Sequence, residues 1–232
     1  MRLTFIETFF YGCLFILFSC EVPFEDNARL LVKGRVLDEN NQPISDADIA
    51  VSTREGEGFI FGTDLEFLGD VQSASDGTFE IITLFGRDQK FVVDVFIDND
   101  YTSYRYITDT EFFTPTDYTI DLGVVPIKRK ADFNFNITRT SPPDIELQYT
   151  LEYMNNFCSE VYVDEQLDED QTNCYETQSF GGILNNNNPN TSTQIQSFIG
   201  AEVTFSYSIN GQVEESQTIT IDQSEYDFNF NY

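Results

Sequence analysis

An all-β chain folded as two β-sandwiches in tandem is what this sequence predicts, on three observations. The hydrophobic period is two and not 3.6: in Ala47-Asp48-Ile49-Ala50-Val51-Ser52 apolar residues alternate with small or polar ones, as a strand covered on one face requires. Turn signals punctuate such runs at Asn40-Asn41-Gln42-Pro43, Asp76-Gly77, Asn99-Asp100, Ser141-Pro142-Pro143 and Asn210-Gly211. No window carries an amphipathic helical stripe. Short strands, regular turns and little helix together point to sandwiches, and 232 residues allow one or two domains with their own cores.

Composition removes whole classes of function. The chain has 40 Asp and Glu against 12 Lys and Arg, a net charge of −28, and no histidine or tryptophan. Without histidine there is no Ser-His-Asp or Cys-His unit, no His-ligated zinc and no imidazole switch. An anionic surface repels phosphates, so nucleic acid is a poor partner and none is expected. No Gly-rich phosphate loop precedes a helix and no serine stands in a nucleophile elbow, so the residues point to a protein that is not an enzyme.

The first element is an export signal. Arg2 precedes an apolar run from Phe9 to Phe18, ten residues that are too few to span a bilayer core but suit a signal peptide. The run ends in Leu17-Phe18-Ser19-Cys20, which resembles the lipobox of bacterial lipoproteins. That resemblance implies cleavage before Cys20 and acylation of its thiol, with residues 1–19 as signal and 20–29 as an acidic tether. Each acyl methylene buried in lipid is worth about 0.8 kcal/mol, and two chains or more anchor stably. Glu21, Glu25 and Asp26 look like the acidic stretch that sends some Gram-negative lipoproteins to the cell surface. The expected location is the outer membrane, with the outer face favoured and the periplasmic face as the alternative.

The first sandwich is expected over residues 30–128. Alternation marks Phe91, Val93, Val95 and Ile97, and again Tyr118, Ile120 and Leu122. Gly34 is read as a bulge or close approach, and Gly77 as the residue giving the turn its positive φ. Val32-Lys33-Gly34-Arg35-Val36-Leu37-Asp38, Asn41-Gln42-Pro43-Ile44, Asp46 to Val51, Ser75 to Ile81 and Asp121 to Ile127 resemble the carboxypeptidase regulatory-like (peptidase-associated) domain. The resemblance implies a transthyretin-like sandwich of about seven strands serving as an accessory module, without the zinc-binding peptidase domain. Arg54 to Val71, with Phe59, Ile60, Phe61, Phe67 and Leu68, is longer than that family's connection and is expected to be peculiar to this chain.

The second sandwich is expected over residues 131–232. Asp132-Phe133-Asn134-Phe135-Asn136 returns as Asp227-Phe228-Asn229-Phe230-Asn231, and both alternate strictly, so they are read as its first and last strands, edge or neighbouring, with the phenylalanines inside. Further strands are expected at Ile145 to Tyr153, Glu160 to Val163, Gln194 to Ile199, Glu202 to Ile209 and Gln217 to Ile221. Asn185 to Asn190 reads as a polar loop.

Candidate site residues are few. Cys13 leaves with the signal and Cys20 takes lipid, so Cys158 and Cys174 remain to form a disulfide, with a metal site as the rival reading. Reduction is expected to weaken the second sandwich more than the first. Asp98 and Asp100, and Asp164 and Asp168, stand in acidic loops that are read either as Ca²⁺ ligands or as solvated turns, neither matching an EF-hand. Among the tyrosines, Tyr101, Tyr104 and Tyr106 are expected to be the exposed ones, available to a sugar, and Tyr149, Tyr153 and Tyr207 to be packed. These residues point to a non-catalytic, lipid-anchored outer-membrane protein whose β-domains bind an envelope protein or an extracellular polysaccharide. The alternatives are a structural spacer without a ligand and a Ca²⁺-dependent or glycan-binding adhesion module.

Overall fold

The computed structural model describes residues 28–54, 65–85, 90–110 and 113–232, and its architecture is all-β. Seven strands come first: β1 (Ala28–Leu37), β2 (Asp48–Arg54), β3 (Leu65–Gln72), β4 (Thr78–Phe85), β5 (Lys90–Phe96), β6 (Ser103–Asp109) and β7 (Thr119–Pro126). Ten follow: β8 (Lys130–Thr138), β9 (Leu147–Met154), β10 (Phe157–Val163), β11 (Gln166–Leu167), β12 (Asn173–Cys174), β13 (Thr177–Leu184), β14 (Thr191–Phe198), β15 (Glu202–Ile209), β16 (Glu215–Thr220) and β17 (Glu225–Asn231).

The first sandwich faces a three-stranded sheet, β4-β1-β7, against a larger one in which β3, β2, β5 and β6 run in order. The period-two pattern fills the space between them: Leu30, Val32, Ile49, Val51, Phe91, Val93 and Val95 are buried. Burying each such side chain contributes about 1.5–3 kcal/mol before chain entropy is counted. Val71 and Leu68 join this core from β3, so the second part of the long Arg54 to Val71 connection is a strand. Its Phe59, Ile60 and Phe61 lie outside the described residues.

Two glycines behave as their positions demand. Gly34 sits where the β1–β7 register shifts between Lys33 and Arg35, and a Cβ there would stand 2.8 Å from the Phe79 ring. Gly77 has φ +81°, and a Cβ would stand 2.5 Å from the Val36 carbonyl oxygen. Gly77→Ala is therefore expected to cost about 1–3 kcal/mol, read as a lowered denaturant midpoint, because the strain has no flexible neighbour to absorb it. An unchanged midpoint would contradict this geometry.

The second sandwich packs β13-β9-β15-β16 on β14-β8-β17. The repeated strings are parallel neighbours, with Tyr226 opposite Phe133 and Phe228 opposite Phe135. Phe133 and Phe135 on central β8 are fully buried, while Phe228 and Phe230 on the edge strand β17 are half-buried. The Phe135 ring meets those of Tyr149, Phe180, Phe205 and Phe228 at 5.5–6.1 Å. The Asn185 to Asn190 loop is tied back: Arg139 donates to Asn186 at 2.9 Å, and the Tyr232 hydroxyl donates to the Pro189 carbonyl at 3.0 Å.

One segment is placed differently from its expected home. The Glu160 to Val163 strand was assigned to the second sandwich, yet β10 pairs in parallel with β6, extending the first sandwich's larger sheet, and β11 and β12 pair with β10. The chain thus leaves the second sandwich after β9, adds a hairpin to the first, and returns for β13. The physical reason is visible in the pattern: Cys158, Glu160 and Tyr162 share a face that matches Tyr104, Tyr106 and Thr108 of β6. Tyr175, at the point of return, packs against both cores.

Candidate binding cleft

The β10 hairpin is held to β6 by strand pairing and by polar groups on the core side, and the disulfide closes the hairpin itself. Cys158 and Cys174 are directly opposed across β10 and β12 and are bonded, as expected. Their place differs from expectation, however: Cys158 belongs to the first core, so the link staples the inserted hairpin and not the second sandwich. Glu160 accepts two phenol protons at one oxygen, from Tyr104 at 2.6 Å and Tyr162 at 3.1 Å. The Tyr162 ring stacks on Tyr106 at 4.8 Å. Tyr104 and Tyr106, expected at the surface, are instead 3% and 7% exposed, because even-numbered residues of β6 face the core. Tyr101 is half-buried against the same core, and Tyr149, Tyr153 and Tyr207 pack in the second one as expected.

Burial first, and the Glu160 carboxylate second, push the Tyr104 phenol far above its ordinary value, and burial raises Tyr106 and Tyr162 to about 12. In the unfolded chain these phenols ionise near pH 10. Their folded values are raised, so their contribution is intact below pH 10 and declines as pH climbs through about 12. Denaturant midpoints are expected to fall across that window while part of the phenolate absorbance appears only on unfolding. Free titration of all twelve tyrosines near pH 10 in a folded chain would refute the arrangement.

On the opposite face of the same strands lies a cleft of about 780 Å³. Phe96 on β5, Ser103 on β6 and Phe157 on β10 form one cross-strand row, with both rings about 40% exposed (42% and 41%). Adjacent strands lie about 4.8 Å apart, so the two rings flank the serine like posts. The next row is Asp94, Arg105 and Ser159, in which the Arg105 guanidinium grips Asp94 through Nε at 2.6 Å and Nη2 at 3.1 Å. Residues Asp170 to Asn173 and Glu176 form the rim. The cleft therefore takes its floor from both halves of the sequence, and no single motif announces it. Its one local signal is the outward alternation of Asp94 and Phe96 in a strand whose Phe91, Val92, Val93 and Val95 are buried.

The acidic pairs are not brought together. Asp98 and Asp100 stand in the turn before β6, where the Asp98 carboxylate accepts the Asp100 N–H at 2.8 Å and the Asp100 carbonyl accepts from the Lys130 N–H at 2.7 Å. Asp164 and Asp168 follow the other end of β10: Asp164, with Glu165, supplies the positive φ of the β10–β11 turn, and Asp168 accepts from Asp170 and Gln171. Among the described residues, the donor group compact enough to share an ion is Cys158, Glu160 and Cys174, and its two sulfurs are joined to each other. Cys20 lies outside the described residues.

No protein-family model matches the chain, and no curated protein matches it. Among solved structures it is similar to the Bacillus anthracis TIE protein, at 13% identity over 89% of this chain and 34% of that one, with a TM-score of 0.33. It is also similar to the shaft pilin SpaA of Lactobacillus rhamnosus GG (7% identity, 88% and 98% covered, TM-score 0.31). A streptococcal ancillary pilin matches at 9% identity over 89% and 63%, with a TM-score of 0.30. The chain spans about a third of the length of the first of these.

Proposed function

We propose that this chain is a non-catalytic, lipid-anchored module of a bacterial outer membrane, exposed at the cell surface, that binds an envelope protein or an extracellular polysaccharide through the cleft over β5, β6 and β10. The observation that carries the reading is the cleft itself: two half-exposed aromatic rings on a rigid sheet, bordered by polar side chains such as the Arg105–Asp94 fork. A few oriented polar groups among apolar ones are how a pocket recognises a ligand. No nucleophile bonded to a base lines it among the described residues. The Leu17 to Cys20 string supports the anchor, and the Gly34 and Gly77 environments support a carboxypeptidase regulatory-like first sandwich.

A spacer role is the second reading, favoured by the joint between the sandwiches. The Tyr175 hydroxyl donates to the Pro126 carbonyl at 3.0 Å, and the Lys128 ammonium lies 3.9 Å from the Phe198 ring centroid and 4.4 Å from that of Tyr175. Such a joint sets one orientation, which suits a rigid stalk.

Two experiments test these readings. Protease shaving of intact cells, beside a Cys20→Ala variant, is expected to remove the wild-type chain and to find the variant released or lost. Protection of a membrane-bound wild type would move the protein to the periplasmic face. Capture from detergent-solubilised envelopes is expected to enrich one partner reproducibly and to lose it in a Phe96→Ala/Phe157→Ala variant of unchanged stability. Equal capture by both would overturn the cleft as the site, and no capture under gentle crosslinking would favour the spacer.

A further inference from the structure

The outward face of the three-stranded sheet departs from the rest of this acidic chain. Along β1, Arg29, Leu31, Lys33 and Arg35 alternate with the buried Leu30 and Val32 and so point away from the core. Beside them on β4 stand Leu84, opposite Arg29, and Ile82, opposite Leu31, which are 53% and 67% exposed. Val124 on β7, opposite Arg35, is 57% exposed. Three of the chain's 12 basic residues therefore share one sheet face with exposed aliphatic side chains. The carboxylates on it are Glu80 and Asp121, with Asp76 at its Arg35 end; Asp121 is paired with Lys33 at 3.2 Å, and Arg35 Nε donates to the Asp76 carbonyl at 2.8 Å, so bases balance acids here.

The position of this face relative to the anchor points the same way. β1 begins at Ala28, eight residues beyond Cys20, a reach of no more than about 29 Å even when fully extended. The Arg29–Leu84 end of the face is thus the part of the fold on the shortest leash. A tethered body of charge −28 is repelled by an anionic surface everywhere except where bases outnumber or balance its acids.

We propose that this face, centred on Arg29, Leu31, Lys33, Ile82, Leu84 and Val124, lies against the surface of an anionic lipid bilayer. The bases meet lipid headgroups, the aliphatic side chains reach the interfacial layer, and the acidic remainder turns outward, leaving the cleft on the opposite sheet open to its partner. This rests on the lipid-anchor reading above.

The test uses the full lipidated chain on vesicles of phosphatidylethanolamine and phosphatidylglycerol. An environment-sensitive fluorophore is placed through Ile82→Cys or Val124→Cys, and for comparison through Ile183→Cys or Val213→Cys, two exposed positions on the second sandwich. All four are surface substitutions that leave both cores intact. Positions 82 and 124 are expected to shift to the blue and to be several-fold less quenched by acrylamide than positions 183 and 213, with the difference gone in a Cys20→Ser background. A chain that floats with the vesicles but shows equal quenching at all four positions overturns the face and leaves the anchor standing. A chain that does not float overturns the anchor reading and the face with it. Protection at 82 and 124 without vesicles means that a second copy covers the face, and overturns the lipid assignment.

Discussion

Replacing Cys158 and Cys174 by serine is expected to destabilise the chain by about 3 kcal/mol, the chain-entropy value for a loop of that size, with the loss felt first at β6 and β10. The link joins β10 to β12 within the inserted hairpin, beside the first core, so its loss loosens the hairpin and with it the β6–β10 seam that holds the Tyr104–Glu160 contact. Hydrogen exchange should accelerate on β6 and β10 before it does on β8. The thermal transition should stay single, because the β10–β12 hairpin is joined to β9 and β13 by short connections and Tyr175 packs in both cores. Two separate transitions, or faster exchange confined to the second sandwich, would refute the interlocked arrangement.

Phe135→Ala is expected to be the most damaging single substitution, at about 3–5 kcal/mol. Its ring is fully buried at the centre of β8 and touches four other aromatic rings, so truncation leaves a cavity that rigid neighbours fill poorly. Phe230→Ala, the corresponding position in the repeated string, should cost clearly less, since it sits half-buried on edge strand β17. Paired denaturation curves decide this, and equal losses would show that the two strings are equivalent in the core.

The Phe135 and Phe230 comparison shows where alternation stops being informative. Both strings read as half-buried strands, and both are, but only pairing order decides which lies at the centre of a sheet. β13 shows the same limit from the other side. Thr177 to Leu184 lacks a clean apolar alternation because Gly181 and Gly182 occupy its middle, where a Cβ at Gly181 would press on the Tyr149 carbonyl. Its strand character comes from its partner β9 and not from its own residues. The tyrosines of β6 misled for a related reason: Tyr104 and Tyr106 alternate with Ser103 and Arg105, a pattern that does not reveal which face is inward. Burial of a phenol is tolerated there because Glu160, some fifty residues away in sequence, supplies the acceptor.

What the sequence determined by itself was what is governed by near neighbours: the all-β class, the strand and turn positions of most elements, and the strand character of the two Asp-Phe-Asn-Phe-Asn strings. Period-two alternation and turn chemistry act over a few residues, so they can be read along the chain. Only the tertiary structure decided the exchange of the β10 hairpin between sandwiches, the cleft that this exchange completes, and the basic–aliphatic sheet face along β1. Each depends on which strands lie side by side, and a two-residue period is satisfied equally well in either sandwich until the opposing face is in place.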